Sequence, residues 1–447
     1  MSIGPLRFGR SLGLGAVAFA LVVGSVATLA HFRGVPRARA AGAEGSVEDP
    51  LAMKVVQVPN AAKALAPPFA GLDLSRIALG DNGATAALPN KRVAELTIDP
   101  RLQRAAIAAM KTHKLPEATI VMMDPDTGAI LAYASRLGND HARDLAIEAT
   151  APSASVFKIV TAAALVEKDG ANAQTRECFA RSAEQRVVAS DLVVDPLRDK
   201  WCMTLATAMG KSENAVFARM AHDHLDQASL ETAARALGYG APIAFDVAVQ
   251  PSKLEVPKNE GADALGFART AAGFWNTTLS PLHAAEIAAT VARNGEAIRP
   301  HVVARVTDDA GHVEYEARDP ETRRAISPAA AEALTTMMEH TITEGTSYRA
   351  FHDARRAPFV PVSVAGKTGT LSGAGLPERE GASKGSEPRL YSWFTGFAPS
   401  HAEPGKKRVA IAVLVVNKPR WHVKANVVAR EMLREFFRED APRVASR

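Results

Sequence analysis

Ser155 stands three residues before Lys158 inside the otherwise apolar stretch SASVFKIV. On a helix that begins at Ser155 the two side chains share one face. An amine held in a poorly solvated pocket loses part of its preference for the charged form. Neutral, it can take the serine's proton and leave an alkoxide-like nucleophile. Ser153 lacks this arrangement, because Val156 occupies its +3 position. A Ser-x-x-Lys spacing is common by chance, so its weight depends on what accompanies it. In GKSENAVFARMA, 57 residues beyond Ser155, Ser212 and Asn214 stand just before a helical pattern carrying Val216, Phe217 and Met220. Ser212 can relay a proton and Asn214 can hold a substrate amide, although both residue types also cap helices routinely. A further 155 residues on, AGKTGTL continues an apolar strand start with Lys367, Thr368, Gly369 and Thr370. A cation and two hydroxyls on one strand can receive a carboxylate, and a glycine between them removes the side chain where a substrate backbone would approach. A polar edge strand accounts for any one of these four residues but poorly for all four in a row.

The elements that must position these groups are partly legible. In LTIDPRLQRAAIAAMKTH, Asp99 can cap a helix whose first position is Pro100. ATIVMMDPDTGAILAYAS reads as a hairpin, with strands at 120–123 and 130–134 joined by a Pro-Asp-Thr-Gly turn. From about Ser155 to Pro300 the pattern is mainly helical and Ala-rich. Three strand-like runs follow: VSVAGKTGTL, LYSWFTGFA and RVAIAVLVVN. The first two are separated by a long polar loop from Ser372 to Arg389. The last helix sets Val427, Val428, Met432, Leu433, Phe436 and Phe437 on one face. Strands at both ends of the chain around a helical middle predict an α+β fold: an antiparallel sheet flanked by helices, with an inserted helical subdomain.

The chain has 447 residues and 47% hydrophobic and 23% charged content, ordinary for a globular protein with a sizeable core. Its net charge is +5, with Lys and Arg scattered along the sequence, which argues against a nucleic-acid partner. The stretch from Ser11 to Phe32 contains no Asp, Glu, Lys or Arg and is long enough to cross a hydrocarbon core. Arg7 and Arg10 precede it, as on a cytoplasmic flank. Arg33, Arg37 and Arg39 follow it, and Ala38 to Ala40 resembles a signal-peptidase site. Either as an anchor or as a signal, the segment exports the rest of the chain. The expected organisation is a cytoplasmic N-terminus at 1–10, a transmembrane anchor at 11–32, a linker at 33–69, one domain at 70–440 and a tail at 441–447. The only cysteines are Cys178 and Cys202. An exported compartment permits a disulfide between them, and two ordinary buried thiols are the alternative.

The three motifs in this order form the set used by penicillin-binding proteins and class A β-lactamases. From about Asp73 to Phe437 the sequence resembles a penicillin-binding transpeptidase domain. LTIDPRLQRAA, MDPDTGAILAYAS, TEGTSYRAF and WFTGFAP resemble that family's recurring segments. The resemblance implies that Ser155 is the acylated nucleophile and Lys158 its general base, with Ser212 and Asn214 in the second motif. It implies that the N–H groups of Ser155 and Thr370 form the oxyanion hole, and that Lys367 and Thr368 receive the terminal carboxylate of acyl-D-Ala-D-Ala. No metal or cofactor is implied. The implied partners are peptidoglycan stem peptides, β-lactam antibiotics and the inner membrane, with the catalytic domain on the periplasmic side of a single-pass anchor. Two departures stand out. Ala154 precedes the nucleophile where the family often has Gly, and GFWNTTLSPLHAA replaces a Gly-Gln-Gly run, bringing Phe274 and Trp275 to that wall. His283 reads as structural. The expected activity is D,D-transpeptidation. A D,D-carboxypeptidase or slow β-lactamase would pass the same acyl-enzyme to water, and a catalytically silent penicillin-binding sensor or division scaffold is the alternative of another class.

Overall fold

The computed structural model describes residues 69–137, 143–180, 186–373, 389–418 and 420–438. Its central sheet has five antiparallel strands. Their spatial order is Ala365–Gly373, Arg389–Ala398, Val409–Asn417, Glu117–Met123 and Ile130–Leu137. The hairpin near the N-terminus therefore pairs with the last strand of the chain, Met123 facing Ala410 and Val121 facing Ala412.

Every residue of Val409–Asn417 is buried, which is why the run reads as continuously apolar. Alternation survives within it. Ile411 and Val413 face the layer containing Leu102, Met110, Val428 and Met432. Ala410, Ala412 and Leu414 face the larger core, which includes Ile159, Leu282 and Ala285. The first layer is made by helices Pro100–Thr112 and Ala425–Phe436. Asp99 caps the first of these by accepting from Arg101 N at 2.7 Å and Leu102 N at 3.2 Å, with Pro100 at the first helical position, as expected. On the last helix Val428, Met432 and Leu433 are buried, and Phe437 just beyond it is too, while Val427 and Phe436 are half-buried. Helix Pro281–Ala292 covers the other face, where Ala284 O accepts from Thr395 Oγ1 at 2.6 Å.

The middle of the chain is less purely helical than its pattern predicts. Helices Lys158–Asp169, Leu205–Lys211, Asn214–His224, Gln227–Ala236, Ala264–Ala271 and Pro281–Ala292 are present. Between the first two lies a β-hairpin, Arg176–Phe179 with Trp201–Thr204. Cys178 and Cys202 face each other across it and are bonded. The hairpin is clasped by Arg219 of helix Asn214–His224. That fully buried guanidinium donates to Cys178 O at 2.7 Å, Asp191 O at 2.6 Å and both carboxylate oxygens of Asp199, at 2.6 and 3.2 Å. A charge this deep is tolerated because its donors are satisfied and Asp199 neutralises it in a fork. The arrangement in turn holds the Asp199 carboxyl below its ordinary range, chiefly through the Arg219 hydrogen bond.

A second five-stranded sheet was not foreseen. Ala78–Leu79, Ala84–Ala87, Val93–Leu96, Val303–Thr307 and Val313–Glu316 lie side by side in that order. These strands have two to five residues each, too short for a period of two to register. The Ser11–Phe32 run, the linker, most of the 372–389 loop and the 441–447 tail lie outside the described residues. Among the described residues no helix is long and apolar enough to cross a membrane.

The hairpin bond carries a measurable consequence. Protein recovered from an oxidising compartment is expected to show no reactive thiol under denaturing, non-reducing conditions. Replacing both cysteines by serine is expected to cost about 3 kcal/mol of unfolding free energy in the chain-entropy picture. Two free thiols would reject the bond.

Candidate active site

Ser155 sits in a 3₁₀ turn, Ala154–Phe157, and the α-helix begins only at Lys158. A helix starting at Ser155 is thus corrected to a turn-then-helix, which still leaves the two side chains adjacent. The turn is pinned on several sides. Ser153 N donates to Thr277 O at 3.1 Å, and Ser153 Oγ accepts from Tyr239 OH at 3.2 Å. Pro152 O accepts from Trp393 Nε1 at 2.9 Å. Ala154 is held at φ +49°, a left-handed conformation costly for a residue with a Cβ. Gly273, at φ +87°, lies against it. A Cβ there would come within 2.3 Å of Ala154 O and 2.9 Å of Ser155 Cα, so only glycine fits.

Lys158 is fully buried. Its Nζ donates to Ser155 Oγ at 2.9 Å, to Asn214 Oδ1 at 2.6 Å and to Ala272 O. Burial without an ion-pair partner lowers its pKa to about 7, against a smaller opposing pull from Glu213. An ammonium that close to neutrality is the base that the Ser-x-x-Lys reading requires.

The second motif is a bend between two helices. Ser212 follows Leu205–Lys211 at φ +59°, Glu213 is the N-cap of the next helix, and Asn214 is its first residue. Neither Ser212 nor Asn214 serves as an N-cap, the alternative their residue types allowed. Ser212 Oγ accepts from Lys367 Nζ at 2.9 Å, and Asn214 meets Lys158.

The third motif lies on the outer strand of the central sheet, with Lys367 facing Thr395, Gly369 facing Trp393 and Thr370 facing Ser392. A Cβ on Gly369 would meet Trp393 at 3.1 Å and Ala154 Cβ at 3.3 Å. The glycine lets the strand lie directly against the nucleophile turn. Thr368 is half-buried and Thr370 exposed. All eight residues singled out from the sequence therefore belong to one locality. The pocket has two further contributors that the sequence reading left without a role. Thr346 Oγ1 lies 2.6 Å from Thr368 Oγ1 and Thr346 N donates to Gly210 O at 2.9 Å, tying the second motif to the third. Ala272 supplies only a backbone carbonyl, which no side-chain pattern can signal. Thr346 lies within TEGTSYRAF, one of the segments that resemble the family's recurring ones.

Lys367 corrects an expectation. A carboxylate receptor should be a standing cation, yet Lys367 is fully buried, and its partners are neutral: Ser212 Oγ and Thr368 O at 2.8 Å. Burial first, and the Lys158 cation second, push its pKa well below the ordinary amine range. Burial thus disfavours charge on both amines. An entering carboxylate would supply the opposite charge that restores it to Lys367.

His283 is structural, as read from the sequence. It is fully buried, with Nε2 donating to Leu237 O at 2.7 Å, so that Nδ1 accepts from Ser252 Oγ at 2.6 Å. Burial lowers its pKa to about 4, which keeps it neutral. Phe274 and Trp275 follow Gly273 beside the nucleophile turn and are half-buried.

This is the arrangement of a serine acyl-transferase on a mixed helical and antiparallel scaffold. The chain belongs to the penicillin-binding protein transpeptidase domain family, whose description it matches over residues 118–436. It is similar to the peptidoglycan D,D-transpeptidase PbpA of Mycobacterium tuberculosis, with 28% identity over 370 residues covering 72% of this chain and 67% of that protein. The PbpA of Mycolicibacterium smegmatis is 27% identical, covering 72% and 66%. The chain thus spans about two thirds of the length of these relatives. Among solved structures, the penicillin-binding protein A of M. tuberculosis matches at TM-score 0.59 and 24% identity, covering 77% of this chain and 82% of that one. Its imipenem acyl-enzyme complex matches at 0.60 and 24%, covering 77% and 80%.

The lysine pair gives a signed pH dependence. Acylation needs neutral Lys158, so its rate is expected to rise with pH through about 7 and then level off. Lys158→Arg keeps its proton at any relevant pH and is expected to lose roughly 10²–10⁴-fold in acylation rate. Lys367→Arg supplies a permanent cation for the substrate's carboxylate and is expected to keep measurable acylation. Second-order rates for the purified, folded variants test the assignment. Comparable losses would place the base on the wrong lysine.

Proposed function

We propose that the chain is a peptidoglycan D,D-transpeptidase, anchored in the cytoplasmic membrane by Ser11–Phe32 and working outside it. Neutral Lys158 takes the proton of Ser155 Oγ, which attacks the penultimate carbonyl of an acyl-D-Ala-D-Ala stem. The developing oxyanion is received by the N–H groups of Ser155 and Thr370. The substrate's terminal carboxylate lies on Lys367, Thr368 and Thr370. As the peptide C–N bond breaks, the leaving D-Ala nitrogen takes a proton from Lys158 or through Ser212, leaving an ester on Ser155. An amine from a second stem attacks that ester and gives a proton to the base. The new amide cross-links two stems, and Ser155 is restored. A β-lactam follows the first half of this path. Its leaving nitrogen stays tethered after ring opening and blocks the second half.

The observation that carries this reading is a single one. A buried amine with pKa near 7 lies 2.9 Å from Ser155 Oγ, beside an edge strand that brings a second buried amine within reach of Ser212.

Two tests follow. A fluorescent penicillin is expected to form a stable adduct on the peptide carrying Ser155. Ser155→Ala should abolish it and Ser153→Ala should not, because Ser153 Oγ is buried under Tyr239. An adduct mapped to any other residue would sink the assignment. With an acyl-D-Ala-D-Ala donor and an amine acceptor, the amide product is expected to accompany D-Ala release. Release with hydrolysis alone would make the enzyme a carboxypeptidase. For topology, a reporter joined after Phe437 should be active only in a form that works outside the cytoplasm. Activity of a cytoplasm-only reporter at that junction would refute the anchor.

A further inference from the structure

The loop that follows the last sheet strand is more firmly built than a surface connection requires. Asn417, fully buried at the end of that strand, donates from Nδ2 to Val423 O at 3.2 Å and accepts at Oδ1 from His422 N at 3.1 Å. His422 Nε2 then donates to His113 O at 2.9 Å, tying the loop to the end of helix Pro100–Thr112. The tie brings the loop that carries Lys418, Arg420 and Lys424 against the helix end that carries Lys111 and Lys114, and all five side chains are exposed. The carboxylates that face this cluster are already committed. Glu431 is bound by His113 and Arg430, and Glu117 by Arg389. Among the described residues no carboxylate forms an ion pair with any of the five. The same loop carries Trp421, 41% exposed, with Lys424 Nζ 5.5 Å from its ring centroid.

The position of this platform relative to the pocket follows from sheet register. Asn417 faces Leu390, which faces Ser372, two residues beyond Thr370 on the edge strand. The platform therefore begins where the edge strand leaves the pocket, on the order of 10–20 Å away along and across the strands.

Unpaired cations on a fixed surface attract a polyanion, and the attraction is long-ranged at low salt. A flat aromatic face among them suits sugar rings. A membrane fits less well, because interfacial binding needs buried apolar area and Trp421 is the only large exposed apolar side chain of this loop among the described residues. We propose that this platform is a second docking surface for the peptidoglycan polymer. It binds the repeated carboxylates and sugar faces of a strand whose stem reaches Ser155. The proposal rests on the transpeptidase reading above.

The test uses the full chain and purified, insoluble peptidoglycan in co-sedimentation at low and high salt. Lys418→Glu combined with Arg420→Glu and Lys424→Glu is expected to weaken binding by at least about tenfold at low salt and to flatten its salt dependence. Trp421→Ala, a milder surface change, is expected to weaken binding in the same direction. Neither variant should change the rate of Ser155 labelling by penicillin, which also reports that the pocket is folded. Undiminished binding by both variants would overturn the proposal. So would a loss confined to anionic phospholipid vesicles, with peptidoglycan binding intact. Absent Ser155 labelling in the unaltered chain would instead count against the transpeptidase reading itself.

Discussion

Two lysine amines are held out of water with no carboxylate of the described residues to balance them, and most of the architecture answers to that constraint. Lys158 and Lys367 are each fully buried, and their hydrogen-bond partners are a hydroxyl, an amide oxygen or a backbone carbonyl. Moving an ammonium into such a place costs several kcal/mol unless it gives up its proton. Neutral acceptors orient each amine without fixing its charge. An ion-pair partner would have raised the pKa and removed the base. Among the described residues the protein sets none of its own carboxylates against either nitrogen, and Glu213 opposes the burial of Lys158 to a smaller extent.

Three segments from distant parts of the chain must meet without gaps for this to work. Their meeting depends on backbone approaching backbone. Gly273 presses on the carbonyl of Ala154, and Gly369 presses on its methyl group, so the nucleophile turn is gripped from two sides. Ala154 accepts a left-handed conformation in return. Strain of this kind persists only where the surroundings over-determine it. Here they do: the residues on either side of Ala154 are tied down, through Ser153 N to Thr277 and through Pro152 O to Trp393.

What the sequence disclosed follows the same physics. Side chains chosen for chemistry leave a spacing that can be read, so Ser155, Lys158, Ser212, Asn214 and the Lys367–Thr370 run were all visible. Strands buried on both faces were visible as unbroken apolar runs. Backbone contributions left no trace, which is why Ala272 O went unassigned. The short strands of the second sheet were invisible because two to five residues carry too little periodicity. The full burial of Lys367 was not legible because burial is a property of the assembled fold. Lysine in a strand pattern looks like an edge residue, and Lys367 is indeed on the edge strand, but the Ser212 bend meets its amine and the side chain is fully buried.

The register of the central sheet has a bearing on how the molecule comes into being. Glu117–Met123 can pair with Ile130–Leu137 as soon as both have been made, but its other neighbour, Val409–Asn417, arrives roughly 290 residues later. At ordinary rates of synthesis that is a wait of roughly 15–60 seconds. During that time a largely apolar strand has one edge unsatisfied, a template for wrong pairing. The strand carrying Lys367 is laid down late too. A chain interrupted before that point has its nucleophile and base but no sheet edge to set against them. The order of synthesis therefore makes an unfinished copy inert, and it makes the growing chain dependent on whatever shields it until its last strand is in place.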